Sequence, residues 1–304
     1  MYEISSCEVK MSLQKYEIFL RTLEAGSVSR AAEDLGLTQS AVSHALTSLE
    51  EQFGFPVLKR SRSGVRLTEE GKKVLPSVRA ILSAEMQLQE TVSSIHGLST
   101  GTIRIGTFTS VAVHWLPSIL KEFQAAHPHI RFKLLNGDYH DVEQWLEEGA
   151  VDLGFVSLPT RAPGKVIPLM KDRLLVILPK DHPLANLPCF PISFAKQESF
   201  ISLLESSDQD LRRALDAEDI RPNVRFVTKD DYAIIAMVEQ GLGIAIMPEL
   251  LLQGRRDNIA ALELSPQATR TIALAVTDAG RQSPAASQFA DFVASQVKAQ
   301  HPKM

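Results

Sequence analysis

Cysteine is scarce in this 304-residue chain. Two residues, Cys7 and Cys189, cannot build a disulfide framework or a four-ligand zinc site, and such usage points to a reducing, cytoplasmic setting. Long apolar runs are missing as well. Stretches such as residues 233–238 fall far short of the roughly 20 residues a membrane helix needs, so no membrane partner is expected. Residues 1–10 carry Glu3, Cys7 and Glu8 around no apolar centre, which argues against a secretory signal peptide. Positive charge is not in excess either. Lys plus Arg number 32 against 36 Asp plus Glu, net −4, which rules out nucleic-acid binding by overall charge and leaves room for a local basic patch. What is present is an ordinary globular composition, 44% apolar and 22% charged, over a length that suits two or three domains.

Residues 16–53 carry the pattern of helices separated by very short turns. Tyr16, Phe19, Leu20 and Leu23 share one apolar helical face. Ser27, after Gly26, can cap a helix over Val28–Leu35, and Thr38, after Gly36, can cap another from Gln39 to about Phe53. Two helices joined by a few residues with a glycine in the turn make a helix-turn-helix. Leu35, Leu37, Val42, Ala45, Leu46 and Leu49 supply its buried side. Gln39, Ser40, Ser43, His44 and Thr47 point outward from the third helix, and uncharged hydrogen-bonders of this length suit base edges and phosphates in a major groove. Taken alone, the pattern also fits, though less well, an ordinary helical hairpin with a polar solvent face.

The next segment shifts the balance. Ser63-Gly64 suits a hairpin turn between two short strands, and Lys59, Arg60, Arg62 and Arg66 set four positive charges within eight residues, with no acid among them. A basic hairpin directly after a helix-turn-helix is a wing, whose arginines can grip phosphates or enter a minor groove. Residues 25–32 (A-G-S-V-S-R-A-A), 37–43 (L-T-Q-S-A-V-S), Leu46, Leu49-Glu50, Phe53-Gly54, Leu58-Lys59-Arg60 and 67–71 (L-T-E-E-G) together resemble the LysR-type transcriptional regulators. Chain length and domain order carry the likeness over nearly the whole sequence. The resemblance implies a winged helix-turn-helix on double-stranded promoter DNA, with Ser27, at the start of the second helix, counted beside the outward face of the third. It also implies a start near Met11, making residues 1–10 an extension or a misassigned start.

Thr68 can cap a long helix whose first turn holds Glu69 and Glu70 favourably against the dipole. Val74, Val78, Ile81, Glu85, Leu88, Val92 and Ile95 step by fours and threes, a heptad seam that Leu75, Leu82 and Met86 broaden, that Glu85 interrupts and that Pro76 can kink. Such a stripe pairs with a second copy or packs on the chain's own C-terminal domain. The resemblance implies pairing: a homodimer through this helix, an inverted-repeat target with half-sites about one helical turn apart, and association into a homotetramer through the sensor domains. The expected division is an extension (1–10), a DNA-binding domain (11–67), a linker helix (68–98) and an effector-binding domain (99–304).

Residues 97–101 spell G-x-S-x-G, but a nucleophile elbow needs a strand before it and a helix after it, and the order here is reversed. Beyond them strands and helices alternate. Strands are expected at 103–106, 130–135, 152–156, 173–178, 200–202, 224–227, 244–247 and 270–276, and helices at 111–126, 140–148, 210–217, 232–240 and 285–299. Repeated βα units predict an α/β domain with mostly parallel sheets. Pro168 and a strand restart near Lys171, with a return near Thr269, predict two lobes (99–169 with 270–304, and 170–269) around a cleft. The resemblance implies the same periplasmic-binding-protein-like architecture.

In such sheets a ligand sits at the carboxyl ends of strands and at helix N-termini. Thr107, Phe108, Thr109 and Ser110 follow the first strand and open a helix, offering hydroxyls and N–H groups to an anion. Ser157 and Ser202 end two further strands. Each hydroxyl also suits a plain helix cap. The resemblance supports residues 107–110 and Ser202 and adds Asp231 and Tyr232. The expected ligand is a small anionic metabolite acting as co-inducer, with no cofactor and no metal. Residues 241–248 hold glycines without dinucleotide spacing, His127 and His129 lack a third metal ligand, and Cys189 has no basic neighbour in sequence to activate it. The reading is a DNA-binding regulator whose promoter grip and bend respond to a small molecule, with RNA polymerase a further candidate partner. Its rivals are an enzyme in the C-terminal domain, for which no nucleophile set or phosphate loop is evident, and a stand-alone small-molecule binding protein with an unrelated N-terminal appendage.

Overall fold

The computed structural model describes residues 6–61, 64–95, 100–204 and 209–300. Its contacts separate two units, with the division between Val92 and Ser93. Arg62, expected near the wing tip, and residues 97–99 of the G-x-S-x-G match lie outside the described residues, as do residues 1–5.

The first unit begins with α1 (Ser6–Ala25), which starts ahead of the apolar face that opens at Tyr16. Then come α2 (Val28–Leu35) and α3 (Gln39–Phe53), with Gly36 between them at φ 64°, a left-handed conformation open to glycine. Thr38 caps α3 by accepting the Ala41 N–H at 3.2 Å. Strands β1 (Leu58–Ser61) and β2 (Gly64–Leu67) pair antiparallel as the wing. Thr68 accepts the Gly71 N–H at 2.9 Å and so opens α4 (Glu69–Ile95). Phe19, Val42, Leu49 and Val57 form a closed core, and α4 contributes Leu75 and Val78, both 2% exposed. The front half of the expected heptad seam is therefore consumed inside this unit. Ile81, Leu88 and Val92 remain exposed.

In the second unit a six-strand path runs β10-β6-β11-β5-β3-β4. Strand β3 (Gly101–Thr107) pairs parallel with β4 (Ile130–Asn136) and β5 (Leu153–Leu158). The single helix expected over 111–126 is two, α5 (Thr109–His114) and α6 (Leu116–Ala126), broken at Trp115, which packs its ring into the core at 2% exposure. After α7 (Tyr139–Glu147) come two long strands. Strand β6 (Lys165–Pro179) and β11 (Ile259–Val276) run antiparallel from one lobe into the other. The mostly parallel expectation fails here, because outgoing and returning crossovers that lie side by side must point in opposite directions. Between them the second lobe holds β7 (Phe190–Pro191), β8 (Ser199–Leu203), α8 (Gln209–Ala217), β9 (Asn223–Thr228), α9 (Asp231–Glu239) and β10 (Ala245–Pro248). Two apolar clusters, around Phe200 and around Ile201, pack on opposite faces of this lobe. The chain closes with α10 (Asp278–Gln282) and α11 (Pro284–Gln300), whose Phe289 and Val293 seal the first lobe's core.

Candidate DNA and effector sites

On the first unit, Gln39, Ser40, His44 and Thr47 are exposed along α3 and Ser43 is half-buried, while Val42, Leu46 and Leu49 between them are buried. Ser27 occupies the N-cap position of α2, yet its hydroxyl makes no capping bond, so that oxygen is left for another partner. The wing is tied to the helices at both ends. The Glu50 carboxylate accepts the N–H groups of Val57 and Leu58 at 2.9 and 3.1 Å, and the Val65 N–H donates to the Gly26 carbonyl at 2.9 Å. An added Cβ at Gly64 would stand 2.8 Å from that carbonyl, so the approach needs glycine. In the hairpin register Lys59 lies opposite Arg66, and Arg60 lies opposite Val65. Like charges directly opposed on one face of a ladder repel, and an anion bridging them, such as a phosphate, converts that cost into a gain. All three cations are exposed.

In the second unit a cavity of about 200 Å³ opens between the lobes. Phe108, Thr109 and Ser110 line it from the first lobe, Asp210 and Asp231 from the second, and Arg270 from the crossing strand. The position that caps α5 is Phe108, which has no side-chain oxygen, so Thr109 and Ser110 are not spent as helix caps. Arg270 is the centre of the arrangement and is 3% exposed. Its Nε and Nη2 donate to Asp172 Oδ2 at 2.9 and 2.7 Å, Nη2 donates also to Ser110 Oγ at 2.8 Å, and Nη1 donates to the Tyr139 hydroxyl at 2.6 Å. The Phe108 ring lies beneath the guanidinium, 5.2 Å from ring centre to Cζ, and meets Tyr139 edge-on at 5.0 Å. Burial raises the Tyr139 hydroxyl's pKa, a rise that Arg270 opposes and the nearby Asp210 carboxylate reinforces. Burial likewise lifts the carboxyls of Asp172 and Asp231 above the usual range, against the pull of Arg270 on the first and of the Thr109 hydroxyl on the second.

Other expected residues stand further back. Thr107 is 1% exposed and donates to the Phe108 carbonyl at 3.3 Å, off the cavity wall. Ser157 also lies behind the wall, where its hydroxyl donates to Asp210 Oδ1 at 2.9 Å. Ser202 does not line the cavity, whereas Ile201 and Leu203 do, as the two-residue period of a strand requires. Tyr232 faces away under Arg255, 4.1 Å from its ring centre. The sequence reading passed over Arg270, Asp172, Tyr139 and Asp210. A signal for two of them existed: Asp172 and Arg270 are charged residues standing at the head of apolar strand runs, one in each crossover.

Residues 13–72 match the bacterial regulatory helix-turn-helix model of the lysR family, and residues 96–298 match the LysR substrate binding domain. The chain belongs to the LysR family of transcriptional regulators. This regulator is 31% identical to the HTH-type transcriptional regulator YvbU of Bacillus subtilis over 92% of its own length and 96% of that protein's. It is 30% identical to the RuBisCO operon transcriptional regulator of Allochromatium vinosum, over 96% and 98% of the two chains. A full-length OxyR variant from Pseudomonas aeruginosa shares the regulator's fold with a TM-score of 0.74 at 21% identity, covering 95% and 98% of the two. The regulator is thus a DNA-binding protein whose second unit is a small-molecule binding domain of this family. No helix among its described residues is long and apolar enough to cross a membrane.

Proposed function

We propose that this regulator binds a promoter inverted repeat as a homodimer and changes its grip when a small polar molecule fills the cavity between the lobes. Each protomer then lays Gln39, Ser40, Ser43, His44 and Thr47 of α3 in a major groove, with Ser27, Arg60, Arg62 and Arg66 on the adjoining backbone. The carrying observation is the docking of the wing: Val65 bonds to Gly26 at the mouth of α2, so the basic hairpin and the helix-turn-helix form one body. Phosphate contacts from the wing would set register and affinity, and the α3 side chains would read bases.

Dimerisation is supported by Ile81, Leu88 and Val92, which stay exposed at seven- and four-residue spacing along one face of α4. Sensor pairing into a homotetramer would bring four DNA-binding domains to one promoter, where bending becomes a means of control. RNA polymerase is the further partner expected there, and the cytoplasm the expected location. The effector domain acts as a sensor, not an enzyme; turnover of a bound ligand by the purified protein would overturn that part.

The test is binding of the purified chain to DNA flanking its own gene, titrated with salt. Specific binding should survive competitor DNA, with log affinity falling linearly against log salt at about −0.9 per phosphate contacted. Affinity that is flat in salt, or indifferent to sequence in a library selection, would remove the reading.

A further inference from the structure

The charged side chains of the cavity wall are largely spent on partners within the protein. Arg270 directs four of its five N–H groups to Asp172, Ser110 and Tyr139. The Asp210 carboxylate takes the Ser157 hydroxyl and the Arg213 guanidinium and lies enclosed beside the Tyr139 hydroxyl. Asp138 and Asp141 hold each other's N–H groups at the start of α7, at 3.0 and 2.9 Å. The Thr109 hydroxyl of the first lobe supports the Asp231 carboxyl of the second. A ligand rich in hydroxyls would give up water on entering and find few partners in return, and each hydroxyl buried without a partner costs affinity.

Carbon is what the second lobe presents to the same space. Leu174 and Ile246, 3% and 6% exposed, reach the cavity from the apolar cluster around Phe200. Ile201, Met247 and Leu251 reach it from the cluster on the lobe's other face, and Leu203, partly buried against that cluster, lines it too. The wall is thus the open end of both clusters that fill this lobe, and apolar carbon placed against it extends them. Each methylene withdrawn from water there is worth about fourfold in affinity.

We infer that the cavity takes a monocarboxylate with an apolar aliphatic or aromatic body, seated on Leu174, Ile201, Leu203, Ile246, Met247 and Leu251, and that it discriminates against polyhydroxylated acids. This rests on the reading of the cavity as the effector site, and it keeps the anionic end that hydroxyls at a helix start suggest. What it adds is the body of the ligand, which the second lobe selects.

Hexanoate and gluconate have the same number of carbons and the same carboxylate and differ in their hydroxyls; benzoate offers the aromatic form. Each is titrated into the full chain by calorimetry up to millimolar levels. Hexanoate or benzoate should bind at least tenfold more tightly than gluconate. Leu203→Gln should narrow that ratio by about fourfold or more, weakening the apolar acid and leaving gluconate where it was. Ile246→Val removes one methylene from the same wall and keeps the branched side chain, so it remains informative if Leu203→Gln folds poorly. Gluconate binding as tightly as the apolar acids, no binding by either apolar acid, or an unchanged ratio in both variants overturns the ligand class. DNA binding measured alongside separates the two readings. Gluconate that binds more tightly than the apolar acids and shifts DNA affinity keeps the sensor and removes the class; an apolar acid that binds without shifting it keeps the class and removes the sensor.

Discussion

Arg270 and Asp172 are direct register partners on the two strands that join the lobes, and they form an ion pair with side chains 3% and 2% exposed. Asp172 accepts the Leu250 N–H at 3.0 Å, and Arg270 donates to Ser110 and Tyr139. One buried pair on the crossing strands therefore holds the residues that open the cavity. A ligand competing for Ser110 or Tyr139 would act on the crossing strands through it.

Removing one partner strands the other charge. Asp172→Ala should destabilise the second unit by about 3–5 kcal/mol, whereas Asp172→Leu combined with Arg270→Met should recover much of that loss. The two tryptophans, Trp115 and Trp145, both lie in the second unit, so urea unfolding followed by tryptophan fluorescence reports it selectively. A double variant as unstable as the single would show that the pair's charge balance is not what matters.

Asp231 carries a pH signature. Its native pKa is raised by burial from the ordinary 3.8, so the folded state holds the proton more tightly. Well below 3.8 the group is neutral in both states and costs nothing. As pH rises the unfolded chain ionises first, and stability falls until the native carboxyl ionises as well. Asp231→Asn should therefore be more stable than the parent above the native pKa, with the gain vanishing as pH drops below the unfolded value. A stability difference that is constant across that window would contradict the assignment.

Lys59 and Arg66 oppose each other on the wing. Each replaced singly by Ala should reduce the magnitude of the salt slope by about 0.9 if it meets one phosphate. Folding stability should hold or rise by a few tenths of a kcal/mol, because a like-charge pair is relieved. Gln39→Ala should instead leave the slope in place and cost about 1–3 kcal/mol of discrimination at one base pair. Gel-shift titrations on matched and mismatched sites distinguish these outcomes.

Leu88 is 65% exposed on α4. Leu88→Glu should leave the core around Leu75 and Val78 intact and shift the sedimentation coefficient toward a monomer at micromolar concentration. An unchanged assembly would move the pairing face elsewhere.

The local elements were legible because their causes are local. Thr38 caps α3 three residues before the N–H it accepts, and Gly36 permits the turn. The break at Trp115 had a signal that was passed over: Pro117 stands in the first turn of α6, where a proline lacks the N–H that would continue the preceding ladder, while the apolar face of Val111, Trp115, Leu116 and Ile119 reads as continuous. The seam on α4 was read correctly as apolar, but residues such as Val78 carry no mark that separates a dimer contact from a contact with α1 to α3.

By itself the sequence determined the winged helix-turn-helix, the long helix and the alternation of strands and helices, because spacing, caps and turn residues act over a few positions. Only the tertiary structure decided that β6 and β11 lie antiparallel, that Asp172 meets Arg270 across 98 residues of chain, and that Asp210 closes the cavity with Ser157 behind it. Burial of charge is what makes those pairings binding. A carboxylate or guanidinium removed from water must find its counterpart, and which counterpart is within reach is settled by how the lobes fold back on each other.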